Sequence, residues 1–200
     1  MSTDDFSSTK EAAESNNLEA QFKLGQLYEF GKGVEQSFEN ASLWYQKAAE
    51  SGLATAQYNL GLLYEHGRGV PQNYHEAAAW YQRASEQGDP WATTNLAFLY
   101  SNGRGVRQSD TIANNLYQDA AEKGHFQAQY NLAARYASGR GFETDLVAAY
   151  FWFERSKLGA SALNQERANR MIEALSDHMS EADIREAKAM YTSLLRGEIN

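Results

Sequence analysis

The feature that most constrains this chain is a pair of glycines, separated by one residue, that recurs every 36 residues without a change of register. A tyrosine lies three residues before each pair. Self-similarity at a period of about 20 to 50 residues is the signature of a repeat array, in which each unit contacts only its neighbours. The chain is therefore expected to fold as stacked units. The pairs are Gly31/Gly33, Gly67/Gly69, Gly103/Gly105 and Gly139/Gly141, and the tyrosines are Tyr28, Tyr64, Tyr100 and Tyr136.

Each unit contains two stretches with the spacing of an amphipathic helix, which we call helix A and helix B. The glycine pair between them supplies two residues that tolerate positive φ, as a tight reversal between packed helices requires. Gly25 and Gly61 lie in the middle of helix A, where we expect a tryptophan of a neighbouring helix to approach closely. The apolar stripes of the second unit are Ala56, Leu60, Leu63 and Tyr64 in helix A and Ala77, Trp80, Tyr81 and Ala84 in helix B.

The repeat register predicts one continuous domain. A disordered lead over residues 1–9 and a partial N-terminal helix cap over 10–16 are expected to precede the repeats. The four repeats cover 17–52, 53–88, 89–124 and 125–159. Beyond Gly159 the glycine pair disappears, and residues 160–196 are predicted to form C-terminal capping helices. Ser180 and Asp183 have the spacing of a capping box at the start of the last helix.

The combined pattern A-x-x-x-L-G-x-x-Y-x-x-G-x-G-V, followed by A-x-x-W-Y-x-x-A-A-E-x-G, resembles the Sel1-like repeat family, a relative of the tetratricopeptide repeats. The segment LSDHMSEADIREA also resembles the terminal segment of that family. The resemblance implies an all-α fold, an α/α right-handed superhelix (solenoid) of helix-turn-helix repeats with a C-terminal capping hairpin. The second unit carries the pattern most fully, in Ala56, Leu60, Gly61, Tyr64, Gly67, Gly69, Val70, Ala77, Trp80, Tyr81, Ala84 and Gly88. The later units depart from it at Leu116, Phe153, Ser156 and Lys157.

Composition and charge argue against several kinds of function. Lys and Arg total 18 against 26 Asp and Glu, and the resulting net charge of −8 opposes binding to nucleic acid or to an anionic membrane. The chain has no cysteine, so the disulfides of many family members are replaced by aromatic packing. Its four histidines show neither an H-E-x-x-H motif nor i, i+4 spacing. The sequence therefore predicts no catalytic residue, no metal site and no cofactor.

Helix A carries a second strip of residues roughly opposite its core face, at about 100° of rotation per residue. If the A helices line the concave wall of the superhelix, this strip forms a groove with aromatic anchors for an amphipathic or extended peptide. The alternative is that the same aromatics pack between neighbouring units. The asparagines beside the strip are candidates for hydrogen bonds to a peptide backbone. The candidate protein- or peptide-binding residues are Phe22, Gln26, Tyr58, Asn59, Leu62, Thr94, Asn95, Phe98, Tyr130 and Asn131.

Two further surface features have alternative interpretations. The residue between the paired glycines is a cation in every repeat. These cations would either grip an acidic partner as a row or act as solvated turn residues that offset local carboxylates. Trp91 lies outside the repeat frame, and it would be either a contact site or a cap over the preceding unit. The turn cations are Lys32, Arg68, Arg104 and Arg140.

We expect a non-enzymatic protein–protein interaction scaffold or adaptor that binds a partner protein or peptide on the concave helix-A face. The resemblance implies this role but names no partner. The alternative is a cytoplasmic immunity or inhibitor protein that clasps one toxin or effector, and a small-ligand binder or enzyme ranks below both. The acidic start and the lack of a long apolar run predict a cytoplasmic location, although a mature exported domain behind a new Met would look the same. A monomer is favoured over an oligomer.

Overall fold

The computed structural model describes residues 3–198, and eleven helices make up the regular structure of this part of the chain, which contains no strand. The chain divides into two compact units, the first ending at Gln108 and the second beginning at Ser109. The helices of the first unit are α1 (Thr3–Glu14), α2 (Leu18–Phe30), α3 (Phe38–Glu50), α4 (Ala54–His66), α5 (Tyr74–Glu86) and α6 (Pro90–Asn102). Those of the second unit are α7 (Asp110–Glu122), α8 (Phe126–Ser138), α9 (Leu146–Arg155), α10 (Ala162–Ser176) and α11 (Glu181–Leu195).

The predicted all-α repeat fold is confirmed, with α2, α4, α6 and α8 as A helices and α3, α5, α7 and α9 as B helices. From α1 to α6 in the first unit, and from α7 to α10 in the second, consecutive helices pack on one another. Each A helix ends at the first glycine of a pair, which adopts the left-handed conformation. Each B helix begins at a polar side chain that accepts a hydrogen bond from a first-turn amide. These N-caps are Ser37, Asn73, Ser109 and Asp145.

The second glycine of a pair lets the turn pack closely against the helix B of the preceding repeat. At Gly69 φ is +70°, and a Cβ atom there would overlap the carbonyl group of Phe38, the first residue of α3. Gly105 has a φ of +68° and meets Tyr74, the first residue of α5, in the same way. Two backbones can approach so closely only where no side chain intervenes. The turn therefore both reverses the chain and joins one repeat to the repeat before it.

The glycines in the middle of helix A accommodate tyrosines, so the expectation of a tryptophan was wrong. A Cβ atom on Gly25 would lie 2.6 Å from Cδ1 of Tyr45, and one on Gly61 would lie 2.6 Å from Cε1 of Tyr81. Both tyrosines are fully buried. Successive residues on a helix point about 100° apart, so only one of the two adjacent aromatics in helix B can face the glycine.

The first helix begins earlier than the sequence suggests. Where a disordered lead over residues 1–9 and a partial helix from residue 10 were expected, α1 is helical from Thr3, and residues 1–2 lie outside the described part of the chain. The ring of Phe6 packs edge-on against Tyr28, with 5.7 Å between the centroids. Ala13 is also buried. This apolar contact with α2 offsets the entropy cost of ordering the segment.

Buried glutamines tie each of three A helices to the helix before it. Nε2 of Gln57 donates to the carbonyl oxygen of Ala49 at 3.0 Å, and Nε2 of Gln129 donates to that of Ala121 at 3.0 Å. Gln21 makes the corresponding bond in the first repeat. Each of these carbonyl oxygens also accepts a backbone bond from the amide three residues further on, such as that of Gly52 to Ala49 at 3.0 Å. The glutamine therefore adds a second hydrogen bond, and this bond links the two helices.

In the second unit a polar network replaces part of the apolar core that the leucines of helix A form in the first unit. The helix-A position held by Leu63 and Leu99 in the first unit is Arg135 here, and its side chain is only 6% exposed. Its Nη2 lies 2.6 Å from Oδ1 of Asp110, and its Nε donates to the side-chain oxygen of Asn114. The hydrogen bond from Arg135 holds the pKa of Asp110 below its usual value. The buried cation is thus compensated within the unit.

Helices α10 and α11 close the second unit, and both pack on α9. The capping box predicted for the last helix is confirmed. The amide of Asp183 donates to Oγ of Ser180 at 3.2 Å, and the amide of Ser180 donates to Oδ2 of Asp183 at 3.1 Å. These reciprocal bonds satisfy two amides at the start of α11.

Candidate functional site

The helix-A strip of the first unit is half core and half surface. The ring of Phe22 lies 5.5 Å from that of Tyr45, and the ring of Tyr58 lies 6.0 Å from that of Tyr81. The inner edge of each strip aromatic therefore packs on helix B of its own repeat. Phe22 and Tyr58 nevertheless keep part of their surface exposed. These ring contacts are made within one repeat and not between neighbouring units, and the peptide-binding groove stays a prediction.

A buried tyrosine fixes a carboxylate beside the strip in two successive repeats. The hydroxyl of Tyr45 donates to Oε2 of Glu29 at 2.5 Å, and that of Tyr81 donates to Oε2 of Glu65 at 2.6 Å. Burial, reinforced by the neighbouring carboxylate, raises the pKa of both tyrosines far above the usual value. Both hydroxyls therefore stay protonated and act as hydrogen-bond donors. Each glutamate is consequently held in one place at the end of its helix A.

Asn95 brings the strips of α4 and α6 together. Its side-chain amide interacts with the hydroxyls of both Tyr58 and Tyr81, and this interaction lowers their pKa in part. Burial nevertheless leaves the pKa of Tyr58 raised, and the negative charges of Asp89 and Glu65 raise it further. Hydroxyl and amide groups of α4, α5 and α6 therefore meet at the centre of the strip in the first unit, and the nearby carboxylates give this place a negative potential.

The remaining candidate residues of the first unit differ in how far their side chains are exposed. Phe98 is 39% exposed, and the guanidinium of Arg104 lies 5.4 Å from its ring centroid. Leu62 and Gln26 are half-buried. The amide of Asn59 donates to the carbonyl oxygen of Thr55 within its own helix, at 2.7 Å.

Thr94 is buried, and its hydroxyl donates to the carbonyl oxygen of Pro90 at 2.7 Å. It therefore offers no surface to a partner. Leu62 and Phe98 remain the apolar candidates for a contact from outside.

The two candidates of the second unit contact other helices of that unit. The ring of Tyr130 packs edge-on against Phe153 at 5.1 Å, and the guanidinium of Arg167 on α10 lies 5.1 Å from the same ring. Asn131 accepts a hydrogen bond from Nε2 of Gln127 at 3.0 Å. It also interacts with the hydroxyl of Tyr117, whose pKa burial raises to about 12. Tyr130 therefore serves the packing of α8 against α9 and α10, and Asn131 serves its packing against α7.

Three of the turn cations lie against the first residue of the preceding helix B, whereas Lys32 lies 5.2 Å from the ring of Phe30 at the end of its own helix A. The guanidinium of Arg68 lies 5.7 Å from the ring of Phe38, and that of Arg104 lies 5.5 Å from the ring of Tyr74. In the second unit Nε of Arg140 pairs with Asp110 at 3.0 Å instead. All of these cations are exposed. Each therefore has a local partner, which is an aromatic ring more often than the carboxylate expected for a solvated turn residue.

Residues 3–198 contain neither a membrane-spanning helix nor a cluster of metal-binding side chains. In this part of the chain no helix is long and apolar enough to cross a membrane. Over the same residues no group of three or more His, Asp or Glu side chains is arranged to hold a metal ion.

Sequence reasoning did not identify the Tyr–Glu pairs or the network of Arg135. A signal for the pairs exists in the repeat columns. In the second repeat, helix A has Glu65 and helix B has Tyr81. In the fourth repeat, the equivalent residues are Ala137 and Phe153. In the third repeat Tyr117 is present but Ser101 replaces the glutamate, so the tyrosine indicates the pair only where helix A also supplies a glutamate.

Solved structures with the same architecture include a Sel1 repeat protein from Oxalobacter formigenes, with a TM-score of 0.80 and 32% identity over 90% of this chain and 73% of that one. A protective antigen of uropathogenic Escherichia coli strains with an SLR fold has a TM-score of 0.77 and 32% identity over 83% of this chain. This chain spans 36% of the length of that antigen. An immunity protein from Pseudomonas aeruginosa shares 23% identity with a TM-score of 0.51, over 76% of this chain and 56% of that one, and is similar in fold alone. No curated protein matches the sequence.

The family model of the Sel1 repeat matches residues 18–53, 54–89, 92–125 and 126–158. These matches contain the four successive A and B helices and cover more than half of the chain. Sel1 repeat proteins are non-catalytic repeat scaffolds that generally mediate protein–protein interaction. The chain belongs to the Sel1 repeat family.

Proposed function

We propose that this protein is a non-enzymatic scaffold that binds a partner protein or peptide along the strip of α4 and α6 in its first unit. The observation that carries the proposal is Phe98, an aromatic side chain exposed on a helix-A face. Aromatic side chains are enriched among the residues that dominate binding energy at protein interfaces. The fixed polar groups beside α4 and α6 add the orientation that an apolar contact alone lacks.

The strip favours a partner segment that combines apolar side chains with a basic one. Leu62 and Phe98 occupy equivalent positions on successive A helices and offer apolar contacts. Glu65 and Asp89 give the neighbourhood of Tyr58 a negative potential. Complementary charge orients a partner and raises its association rate more than it raises affinity. We therefore expect an amphipathic or extended segment with at least one Lys or Arg.

The proposed surface is narrower than the strip predicted from the sequence. It retains Tyr58, Leu62, Asn95 and Phe98, with Phe22, Gln26 and Asn59 at its border. It omits Thr94, which is buried, Tyr130, which packs against the C-terminal cap, and Asn131, which interacts with Tyr117 of α7. The cytoplasmic location and the monomeric state remain predictions.

The test is affinity purification with the full chain as bait, followed by a binding titration of the purified partner. Phe98→Ala should weaken binding at least about tenfold, since truncating a central interface aromatic costs about 2 kcal/mol or more. Leu43→Ala is the matched control, because Leu43 is an apolar residue on α3 that is 58% exposed and lies off the strip.

Unchanged melting temperatures for both variants would show that folding is not the cause. Equal losses for the two variants, or no loss for Phe98→Ala, would refute the proposed surface. The immunity or inhibitor alternative predicts nanomolar affinity for a single protein encoded next to this chain. The Pseudomonas immunity protein does not favour it, because that likeness concerns the fold alone.

A further inference from the structure

The second unit contains a cleft that the scaffold function does not use. Helix α9 contributes Phe151, Trp152 and Arg155 to it, α7 contributes side chains near its C-terminal end, and α11 contributes Leu194. Its volume is about 760 Å³. Clefts that bind small molecules have volumes of about 300–1,000 Å³ and combine apolar walls with a few polar groups. The cleft therefore has the size and the wall chemistry of a ligand site.

The cation of this cleft is the half-buried guanidinium of Arg155. Arg155 lies over the ring of Trp152, 5.0 Å from its centroid. Its Nη2 donates to the backbone carbonyl oxygen of Glu122 at 3.5 Å, while the carboxylate of Glu122 accepts a hydrogen bond from Gln118 at 2.6 Å. No side-chain carboxylate of residues 6–198 lies within ion-pair distance of Arg155, although the charge of Glu122, which also lines the cleft, favours the charged form of the guanidinium. The stack fixes the plane of the guanidinium and leaves it with one long hydrogen bond.

The same stack occurs twice in the first unit. Lys47 lies 4.0 Å from the ring of Trp44, and Arg83 lies 4.6 Å from the ring of Trp80, each with the cation three residues after the tryptophan. Both of these cations are exposed. Arg155 differs because it lines the cleft with Leu194 of α11, and its burial lowers the pKa of the guanidinium. Burial disfavours the charged form of a cation, and the charge of Glu122 offsets this only in part, so an anion bound beside Arg155 would relieve the remaining cost.

We propose that this cleft binds a carboxylate carried on an aromatic or branched apolar group. The guanidinium of Arg155 would form paired hydrogen bonds to the two carboxylate oxygens, the geometry for which Arg is suited. Phe151 and Leu194 would contact the apolar group. This site is distinct from the strip of α4 and α6, and its failure would leave the proposed scaffold function unaffected. A free organic acid and the C-terminal carboxylate of a peptide share this chemistry.

The test uses the full ¹⁵N-labelled chain and two matched pairs of probes. The first pair is 3-phenylpropanoate and its uncharged amide, and the second is a tetrapeptide ending in phenylalanine with a free or an amidated C-terminus. Chemical-shift changes at the indole N–H of Trp152 report binding. A charge-assisted hydrogen-bonded pair should make each acid bind about tenfold or more tightly than its amide.

Arg155→Gln should abolish the preference for the acid, and Arg83→Gln should retain it, because Arg83 forms the same stack at an exposed position. If Arg155→Gln does not fold, the comparison of acid with amide on the natural chain still decides. Tighter binding of the acidic peptide would assign the site to a protein C-terminus, and tighter binding of phenylpropanoate would assign it to a small acid. Equal affinity for acid and amide, or no response to either acid at millimolar concentration, would overturn the proposal.

Discussion

Alanine at Gly69 tests whether the turn glycines serve the junction between repeats or only the reversal of the chain. Gly69 combines a positive φ with a backbone contact to Phe38. Gly88, which follows α5, has a φ of +88°, and a Cβ atom there would meet nothing within 4 Å. Both sites thus require a positive φ, and only Gly69 also lacks space for a Cβ atom. Gly88→Ala is therefore the control for Gly69→Ala.

The expected magnitudes follow from these two terms. A left-handed conformation costs an alanine about 1–2 kcal/mol, and the reduced entropy of the unfolded chain returns about 0.4–1 kcal/mol of that. Gly88→Ala should accordingly destabilise by about 0.5–1 kcal/mol. At Gly69 the Cβ atom would overlap the carbonyl group of Phe38, so the turn must shift, and such overpacking adds about 1–3 kcal/mol. Gly69→Ala should therefore lower the free energy of unfolding by about 2–4 kcal/mol.

Urea denaturation followed by circular dichroism at the helix band measures both free energies. The slope of each transition should match that of the parent, since a change in slope signals a different denatured state or a loss of cooperativity. Equal destabilisation by the two substitutions would show that the contact with Phe38 costs nothing. The inference that this glycine joins two repeats would then be wrong.

Three further predictions concern the core. Leu60→Ala should lower the free energy of unfolding by about 2–5 kcal/mol in urea denaturation, because Leu60 is buried between α4 and its neighbours. Gly61→Ala should destabilise despite its favourable helix propensity, since its Cβ atom would lie 2.6 Å from Tyr81, and a parallel measurement showing stabilisation would contradict the packing. The pKa of Asp110 is lowered in the folded state, so its contribution to stability is complete above the ordinary value of 3.8 and is lost as the pH falls through the lower folded value. Asp110→Asn should therefore flatten the acid limb of a plot of stability against pH, and an unchanged limb would show that the pair with Arg135 contributes nothing.

The helices could be predicted from the sequence because the 36-residue register repeats every local signal. The apolar stripe through Leu60 marks the buried face of α4, and Gly67 marks its end. The register does not show which of two adjacent aromatics faces the neighbouring helix. Trp80 and Tyr81 are both buried, and only their contact distances identify Tyr81 as the residue against Gly61.

The candidate strip could be predicted as a set of helix positions but not as a surface. Rotation by about 100° per residue places Thr94 and Phe98 on the same side of α6. Access then depends on neighbours distant in sequence. Phe98 remains 39% exposed, whereas Thr94 is buried. For the same reason Tyr130 matches the strip in sequence and is nevertheless covered by Arg167 of the C-terminal cap.

The junction between repeats keeps its geometry while its chemistry changes. In the first unit the turn cation Arg68 lies over the ring of Phe38, which is the residue that the second turn glycine contacts. In the second unit the corresponding cation, Arg140, pairs with Asp110, which again lies against the second turn glycine. A ring attracts a cation through its quadrupole and apolar surface, whereas a partly exposed ion pair is weakened by salt and by acid. The junction at Arg140 should therefore respond to ionic strength and pH, and the junction at Arg68 should respond to neither. The protein thus combines two kinds of contact in one repeated turn, and the difference lies in the first residue of helix B.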